Sequence, residues 1–372
     1  MIVGVPRETA SGEKRVALIP DLVPRLAKAG VEVVIEPEAG EAAGFANASY
    51  TDQGARLDPD VLVKADVILK VQPPSLAEIE RLKPGAVLIG FLQPFTGGVT
   101  IGALAARGVT AFAVELMPRI TRAQSMDALS AMSTVAGYKA VVLAAGLLPR
   151  FFPLLMTAAG TISPARVFVI GAGVAGLQAI ATARRLGAVV EAYDTRPAVR
   201  EQVESLGARF VELVLDAGDA QDAGGYARAQ SEDFYQQQQV LMQRSVAAAD
   251  VVISTALVPG RRAPVLISEE MLRAMRPGSV VVDLAAEQGG NCAVTVPGED
   301  VVRHGVTVVG RTDLAATVPF HASQMYARTV TSFLLHLLKD GALHLDRADA
   351  LTREPLVTHG GAIVNERVQP AT

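Results

Sequence analysis

The chain has 372 residues, 50% of them hydrophobic and 33 of them glycine, which suits a packed α/β protein and excludes a disordered one. Single cores rarely grow past roughly 250–300 residues, so this length implies two domains. A formal net charge of −4 gives no basis for binding nucleic acid or an anionic membrane, and a lone cysteine, Cys292, excludes an internal disulfide and fits a reducing cytoplasm.

The first residues, Met1 to Glu8, lack the basic region and apolar core of a signal peptide. Ile2 to Val5 reads as a short buried strand, followed by a polar loop from Arg7 to Lys14 and by Arg15 ahead of Val16 to Pro20. Asp21 is expected to cap a helix from Leu22 to Ala29, which stops at Gly30, and Val31 to Ile35 is the next strand. Strand and helix patterns then alternate through Ala65 to Val71, Ala86 to Leu92, Ile101 to Arg107 and Thr110 to Glu115, which predicts an α/β domain with a mainly parallel sheet.

From Met117 the pattern breaks into a polar stretch ending at Ser130, ahead of an expected helix from Ser133 to Leu148. A helix-capping loop would explain Asp127 or Ser130 individually, but explains less well the gathering of Arg119, Gln124, Asp127 and Ser130. Spacing alone leaves both readings open. The most apolar window, Ala140 to Ala159, is interrupted by Pro149, Arg150 and Pro153. A membrane span needs about 20 nearly uncharged residues, so a soluble protein is expected.

Val167 to Ile170 is an apolar run that stops at Gly171, with Gly173 and Gly176 following and an Ala-rich helical pattern from Leu177 to Leu186. Gly171 permits a tight strand-to-helix turn, Gly173 lets the backbone approach a pyrophosphate, and Gly176 lets helix and strand pack closely. A second strand, Val189 to Tyr193, ends at Asp194, 23 residues after Gly171, where a carboxylate meets the adenosine ribose. An acid there favours NAD(H), because the extra phosphate of NADP(H) would meet a like charge.

Later strands are expected at Arg209 to Leu213, Val251 to Thr255, Ser279 to Asp283 and Thr307 to Val309. The polar segment Asp216 to Gln243 interrupts them, either as a tolerated surface insertion or as a functional mobile loop, with a helix possible from Ser231 to Ala248. Ser323 to Leu338 has apolar residues at helical spacing and is expected to return to the first domain. The fold class is thus α/β: two Rossmann-like domains with mainly parallel sheets and a cleft between them. The N-terminal domain, residues 1–135 plus 320–372, is discontinuous and completed by the C-terminal segment. Residues 136–319 form the NAD(H)-binding domain. The five histidines have no second ligand at metal spacing, so no metal is expected, and Cys292 has no neighbour to activate it as a nucleophile.

Gly4 to Glu8, Arg15 to Pro20, Gly171 to Gly176 and Asp283 to Gly290 together resemble the family that joins alanine dehydrogenases to the NAD(H)-binding subunit of proton-translocating nicotinamide nucleotide transhydrogenase. The resemblance covers essentially the whole chain. Pro118 to Ser130 is similar to the transhydrogenase loop that holds the nicotinamide, which implies that role for Arg119, Gln124, Asp127 and Ser130. The insertion with Gly225-Tyr226-Ala227 resembles the mobile loop that closes over bound nucleotide, with Tyr226 on the lid. Gly171, Ala172, Gly173, Val174, Ala175 and Gly176 would hold the pyrophosphate, and Asp194, Thr195, Arg196 and Glu287 complete the cofactor-binding candidates. Alanine dehydrogenases carry a catalytic His where this chain has Gln93, and an Asp where it has Glu287. Oxidising an amino acid requires proton transfers, which an amide cannot perform, whereas hydride transfer between two nicotinamides requires close, oriented rings and little else. Arg15 and Lys70 match substrate-carboxylate binders of the dehydrogenases and are read as structural here.

The resemblance therefore implies direct hydride transfer between NAD(H) on this chain and NADP(H) on a partner subunit, since the sequence has one nucleotide fingerprint and its acid selects NAD(H). It further implies membrane-embedded partner subunits that couple the transfer to proton movement, a homodimer, and a cytoplasmic location held at the inner face of the membrane through those partners. Ending at Thr372, the chain resembles the split bacterial form. The alternatives are an alanine-dehydrogenase-like oxidoreductase and a regulatory nucleotide-binding module.

Overall fold

The computed structural model describes residues 1–212, 232–257 and 260–368. Two compact units divide them, one made of Met1–Met132 with Ala315–Thr372, the other of Ser133–Leu314.

The first unit is built on an eight-stranded sheet. Ile2–Val5 pairs in parallel with Glu32–Ile35 on one side and Val67–Leu69 on the other. Arg56–Leu57 extends the sheet beyond Glu32–Ile35, while Val87–Gly90 and Thr110–Ala113 extend it beyond Val67–Leu69, all in parallel. This is the Rossmann strand order, and it reverses between Ile2–Val5 and Val67–Leu69, so the loops after those strands meet at a topological switch point. Val67–Leu69 and Val87–Gly90 are buried along their whole length, as parallel strands covered on both faces must be.

The chain's C-terminal part completes this sheet. Leu356–His359 pairs antiparallel with Thr110–Ala113, and Ala362–Ile363 follows at the edge. Val357 packs in one apolar cluster with Val34, Ile68, Leu88 and Leu104, so the last part of the sequence shares the core of the first. The Pro319–His336 helix begins four residues before the periodicity suggests, because Pro319 supplies a preset first helical turn. Its Tyr326 donates to the Lys70 carbonyl at 2.6 Å, and its Phe333 meets Phe112 edge-on. The expected cap at Asp21 is not formed. Asp21 lies inside a 3-10 turn, Pro20–Leu22, and the helix behind it, Val23–Lys28, starts without a side-chain cap. Pro20 and Pro24 fix the backbone at this start instead.

The second unit repeats the order around Arg166–Ile170, with Val189–Tyr193 and Arg209–Phe210 on one side and Val251–Ser254, Val280–Asp283 and Val306–Val309 on the other, all parallel. Asp300–Arg303 closes the edge antiparallel. Val167 and Val169 point to one core with Ala179, Ile180 and Ala183, whereas Phe168 and Ile170 point to the opposite core with Met242, Val246 and Val252. The period of two along the strand divides them.

Ala128–Leu147 is long and apolar enough to cross a membrane by length and composition alone. Its Ala140, Val141 and Ala144, however, belong to the core of the second unit.

Candidate functional site

The glycine turn leaves the C-terminal end of Arg166–Ile170, beside the second unit's own switch point. Gly171 has a φ of +94°, a left-handed conformation that a side chain would strain. Thr255 holds the turn from the neighbouring strand, its hydroxyl donating to the carbonyl of Gly171 at 3.1 Å and its N–H to that of Ile170 at 2.8 Å. The helix Val174–Arg185 follows, and Gly173 at its N-cap has no side chain to occupy the first N–H groups. A Cβ on Gly173 would meet nothing within 4 Å, so the approach to those N–H groups is open. Gly176 is the opposite case: a Cβ there would lie 1.8 Å from the Gly171 carbonyl oxygen. A tight turn, an open approach and an uncapped helix N-terminus fit a dinucleotide pyrophosphate. Val174 is exposed and Ala175 half-buried beside them.

Asp194 ends the next strand and is nearly buried, with 6% of its side chain exposed. One oxygen accepts the N–H of Ala172 in the glycine turn at 2.8 Å. Arg196 makes a two-pronged ion pair with the same carboxylate, Nε to Oδ1 at 2.9 Å and Nη2 to Oδ2 at 2.8 Å. That hydrogen bonding outweighs burial and raises the Arg196 pKa further. Thr195, between them, is half-buried.

Glu287 lies in a 3-10 turn, Ala286–Gln288, followed by two left-handed glycines, Gly289 and Gly290. Although exposed as a residue, it has a carboxyl group desolvated enough to raise its pKa. Fully buried Asp283 organises this loop by accepting from the Ser254 hydroxyl, the N–H groups of Ala285 and Cys292, and the Thr295 hydroxyl. Asn291 ties the same loop to the backbone of Ala256 and Pro264. Burial pushes the Cys292 thiol up to about 11, so it stays protonated near neutrality and is no nucleophile.

In the first unit the polar loop follows Thr110–Ala113. Arg119 and Gln124 are exposed, and Ala123 anchors the 3-10 turn Thr121–Met126 in the interior. Arg122 pairs with Asp349 at 2.8 Å, which fixes the loop to the chain's C-terminal part. Asp127 and Ser130 are brought directly together: the carboxylate accepts the Ser130 N–H at 2.8 Å and the Ser130 hydroxyl at 2.5 Å. This caps the helix at Ala128, five residues before the expected start. Gln93, at the end of the adjacent strand, is exposed with a φ of +50°, and Glu115 accepts both its N–H and that of Leu92.

Arg15 and Lys70 are buried at the first unit's switch point, each held by carboxylates of the chain itself. Glu13 takes the Arg15 guanidinium at 2.7 and 2.5 Å. Glu8 and Glu78 take the Lys70 ammonium at 3.2 and 2.9 Å. Glu78 also serves Ser75 in a capping box for the Leu76–Arg81 helix. Burial raises the Glu8 pKa against the pull of Lys70. Burial also opposes the charges of Glu13, Glu78 and Lys70, but their partners prevail, lowering the two acids and raising the lysine. Tyr226 and most of the expected mobile loop lie outside the described residues. Thr255, Asp283, Asn291 and Glu115 are supporting residues that the motifs did not single out for a role, and Gly137 joins them. A Cβ on Gly137 would lie 2.2 Å from the Ala175 carbonyl oxygen, so its bareness sets how closely the Ala128–Leu147 helix passes the glycine turn.

The model of the alanine dehydrogenase/PNT C-terminal domain matches residues 140–366, and that of the N-terminal domain matches residues 4–136. The chain belongs to the alanine dehydrogenase/PNT family. It is 46% identical to the first of the separate polypeptides that make up NAD(P) transhydrogenase subunit alpha of Rhodospirillum rubrum, over 98% of each chain. A transhydrogenase structure from Sinorhizobium meliloti superposes with a TM-score of 0.87 at 43% identity, covering 98% of this chain and 99% of that one. Alanine dehydrogenase of Mycobacterium tuberculosis is more distant, at 32% identity over 99% of this chain and 96% of its own.

Proposed function

We propose that this chain is the NAD(H)-binding component of a proton-translocating transhydrogenase, exchanging hydride directly with NADP(H) bound on a partner subunit. The observation that carries the reading is Gln93, a group that cannot titrate, where the family's amino-acid dehydrogenases have their acid/base histidine. When bound, the nicotinamide supplies the hydride chemistry. The residues of the chain orient it: Gly171 to Gly176 bind the pyrophosphate, Asp194 meets the ribose, and Arg119, Gln124, Asp127 and Ser130 position the ring. On this reading the two compact units are the two domains of the subunit, and membrane-embedded partners hold it at the inner face of the membrane.

The test supplies NADH together with a purified NADP(H)-binding partner domain, and separately alanine with NAD⁺. Hydride should pass to NADP⁺ in the first mixture, with no appreciable NADH formed in the second. Alanine-dependent NADH production at a substantial rate would overturn the proposal. Binding of NADH without turnover in either mixture would favour a regulatory module.

The homodimer that the resemblance implies is supported by an apolar hairpin, Leu155–Thr157 with Gly160–Ile162, in which Met156 is 76% exposed. Phe151, Leu154 and Ile162 are exposed beside it, and we assign this surface to a second copy of the chain. Light scattering of the full chain should give twice the monomer mass, and Met156→Glu should shift it toward the monomer. A mass unaltered by the substitution removes the hairpin from the interface.

A further inference from the structure

The carboxylate of Asp194 does more in this structure than wait for a ribose. An ionised carboxylate offers about four lone-pair positions. Oδ1 accepts the Arg196 N–H and Nε at 2.9 Å each, and Oδ2 accepts Ala172 N and Arg196 Nη2 at 2.8 Å each. All four positions are thus taken, three of them by the residue two places along the chain. Arg196 is itself well packed, with 18% of its side chain exposed.

An arginine at the end of the second Rossmann strand is where NADP(H)-binding proteins meet the adenosine 2′-phosphate. The guanidinium fork that grips a carboxylate in two parallel bonds is the same fork that grips a phosphate. Asp194 is therefore a tethered substitute for that phosphate, occupying the guanidinium and neutralising it.

We propose that Arg196 is a second specificity residue of the adenosine end, a 2′-phosphate-binding group kept out of use by Asp194. This rests on reading the segment from Gly171 to Asp194 as the NAD(H) site. Discrimination against NADP(H) then has two parts: the negative charge of Asp194 repels the phosphate, and the same carboxylate denies it the arginine. An intramolecular partner two residues away has a high effective concentration, so a free phosphate competes poorly for the guanidinium. Removing the charge at position 194 reverses both parts at once.

The experiment measures binding of adenosine 2′-monophosphate and adenosine 5′-monophosphate to the full chain, alongside NADH, by calorimetric titration. The chains compared are the wild type, Asp194→Asn, Arg196→Gln and the double variant. Asp194→Asn should strengthen adenosine 2′-monophosphate binding by about tenfold or more, and Arg196→Gln in the same chain should abolish the gain. Adenosine 5′-monophosphate should show no comparable gain, which separates specificity from a general change in the fold. Should Asp194→Asn not fold, Asp194→Ser, which keeps an oxygen for the Ala172 N–H, carries the same comparison. No gain in either charge-removing variant, or a gain that persists without Arg196, overturns the proposal while the NAD(H) site stands. A wild-type chain that binds neither NADH nor adenosine 5′-monophosphate overturns the site and the inference together.

Discussion

Gly176→Ala should weaken NADH binding by about a hundredfold and lower the unfolding temperature, whereas Gly173→Ala should weaken NADH binding with the unfolding temperature unchanged. The two positions face different constraints. At Gly176 the new methyl would meet the Gly171 carbonyl oxygen at 1.8 Å and its carbon at 2.8 Å. Both are backbone atoms, so the turn itself must move, and overpacking of that kind typically costs about 1–3 kcal/mol. The moving part also aims the helix N-terminus at the pyrophosphate, and a hundredfold loss corresponds to about 2.7 kcal/mol. At Gly173 the backbone is ordinary, with a φ of −78°, and the methyl meets nothing within 4 Å. The fold tolerates it, and any loss of NADH affinity comes from the nucleotide meeting the methyl. Fluorescence titration with NADH and thermal unfolding of both variants check this. If Gly173→Ala binds NADH as tightly as the parent, the glycine turn is not the phosphate site.

That contrast marks what the sequence can disclose. The strand interiors were legible because a parallel strand covered on both faces must be apolar throughout, as Val87–Gly90 and Val251–Ser254 are. The return of the chain's end to the first unit was legible from the apolar stripe of the Pro319–His336 helix, but the antiparallel pairing of Leu356–His359 was not. Four residues carry too short a pattern to choose a partner strand. Capping at Asp21 failed because a preferred residue type at the right place does not compel the bond when prolines already fix the turn. At Asp127 a capping bond does form, so the polar stretch that suggested a ligand also starts a helix. Gly137 gave no signal at all, since a close approach between segments nearly 40 positions apart has no local periodicity. The pairing of Asp194 with Arg196 was equally hidden: the motif places an acid at the ribose, but not the group already bound to it.

Asp127→Asn should slow hydride transfer to the NADP(H)-binding partner by about ten- to a hundredfold, with a modest change in NADH affinity and an unfolding temperature close to that of the parent. Asp127 has a structural duty, so a loss of activity on its removal could arise from a frayed helix. Asparagine separates the two roles. It is as good an N-cap as aspartate, and its amide oxygen can still accept the Ser130 N–H that Oδ1 accepts at 2.8 Å. The substitution removes the negative charge and the second acceptor, the one that takes the Ser130 hydroxyl at 2.5 Å. Ser130 then loses the partner that fixes its hydroxyl, and both groups assigned to the nicotinamide are altered while the helix start is kept. Direct hydride transfer depends on near-attack geometry, where a misplacement of about 1 Å can cost a hundredfold in rate. Asp127→Ala is the control, because it deletes the cap as well and should add about 1 kcal/mol of destabilisation that Asn does not show. Single-turnover mixing of NADH-loaded chain with the partner domain separates the transfer step from nucleotide binding. A rate equal to that of the parent in Asp127→Asn leaves Asp127 as a helix cap alone, and the nicotinamide then has to be positioned by Arg119 and Gln124 without it.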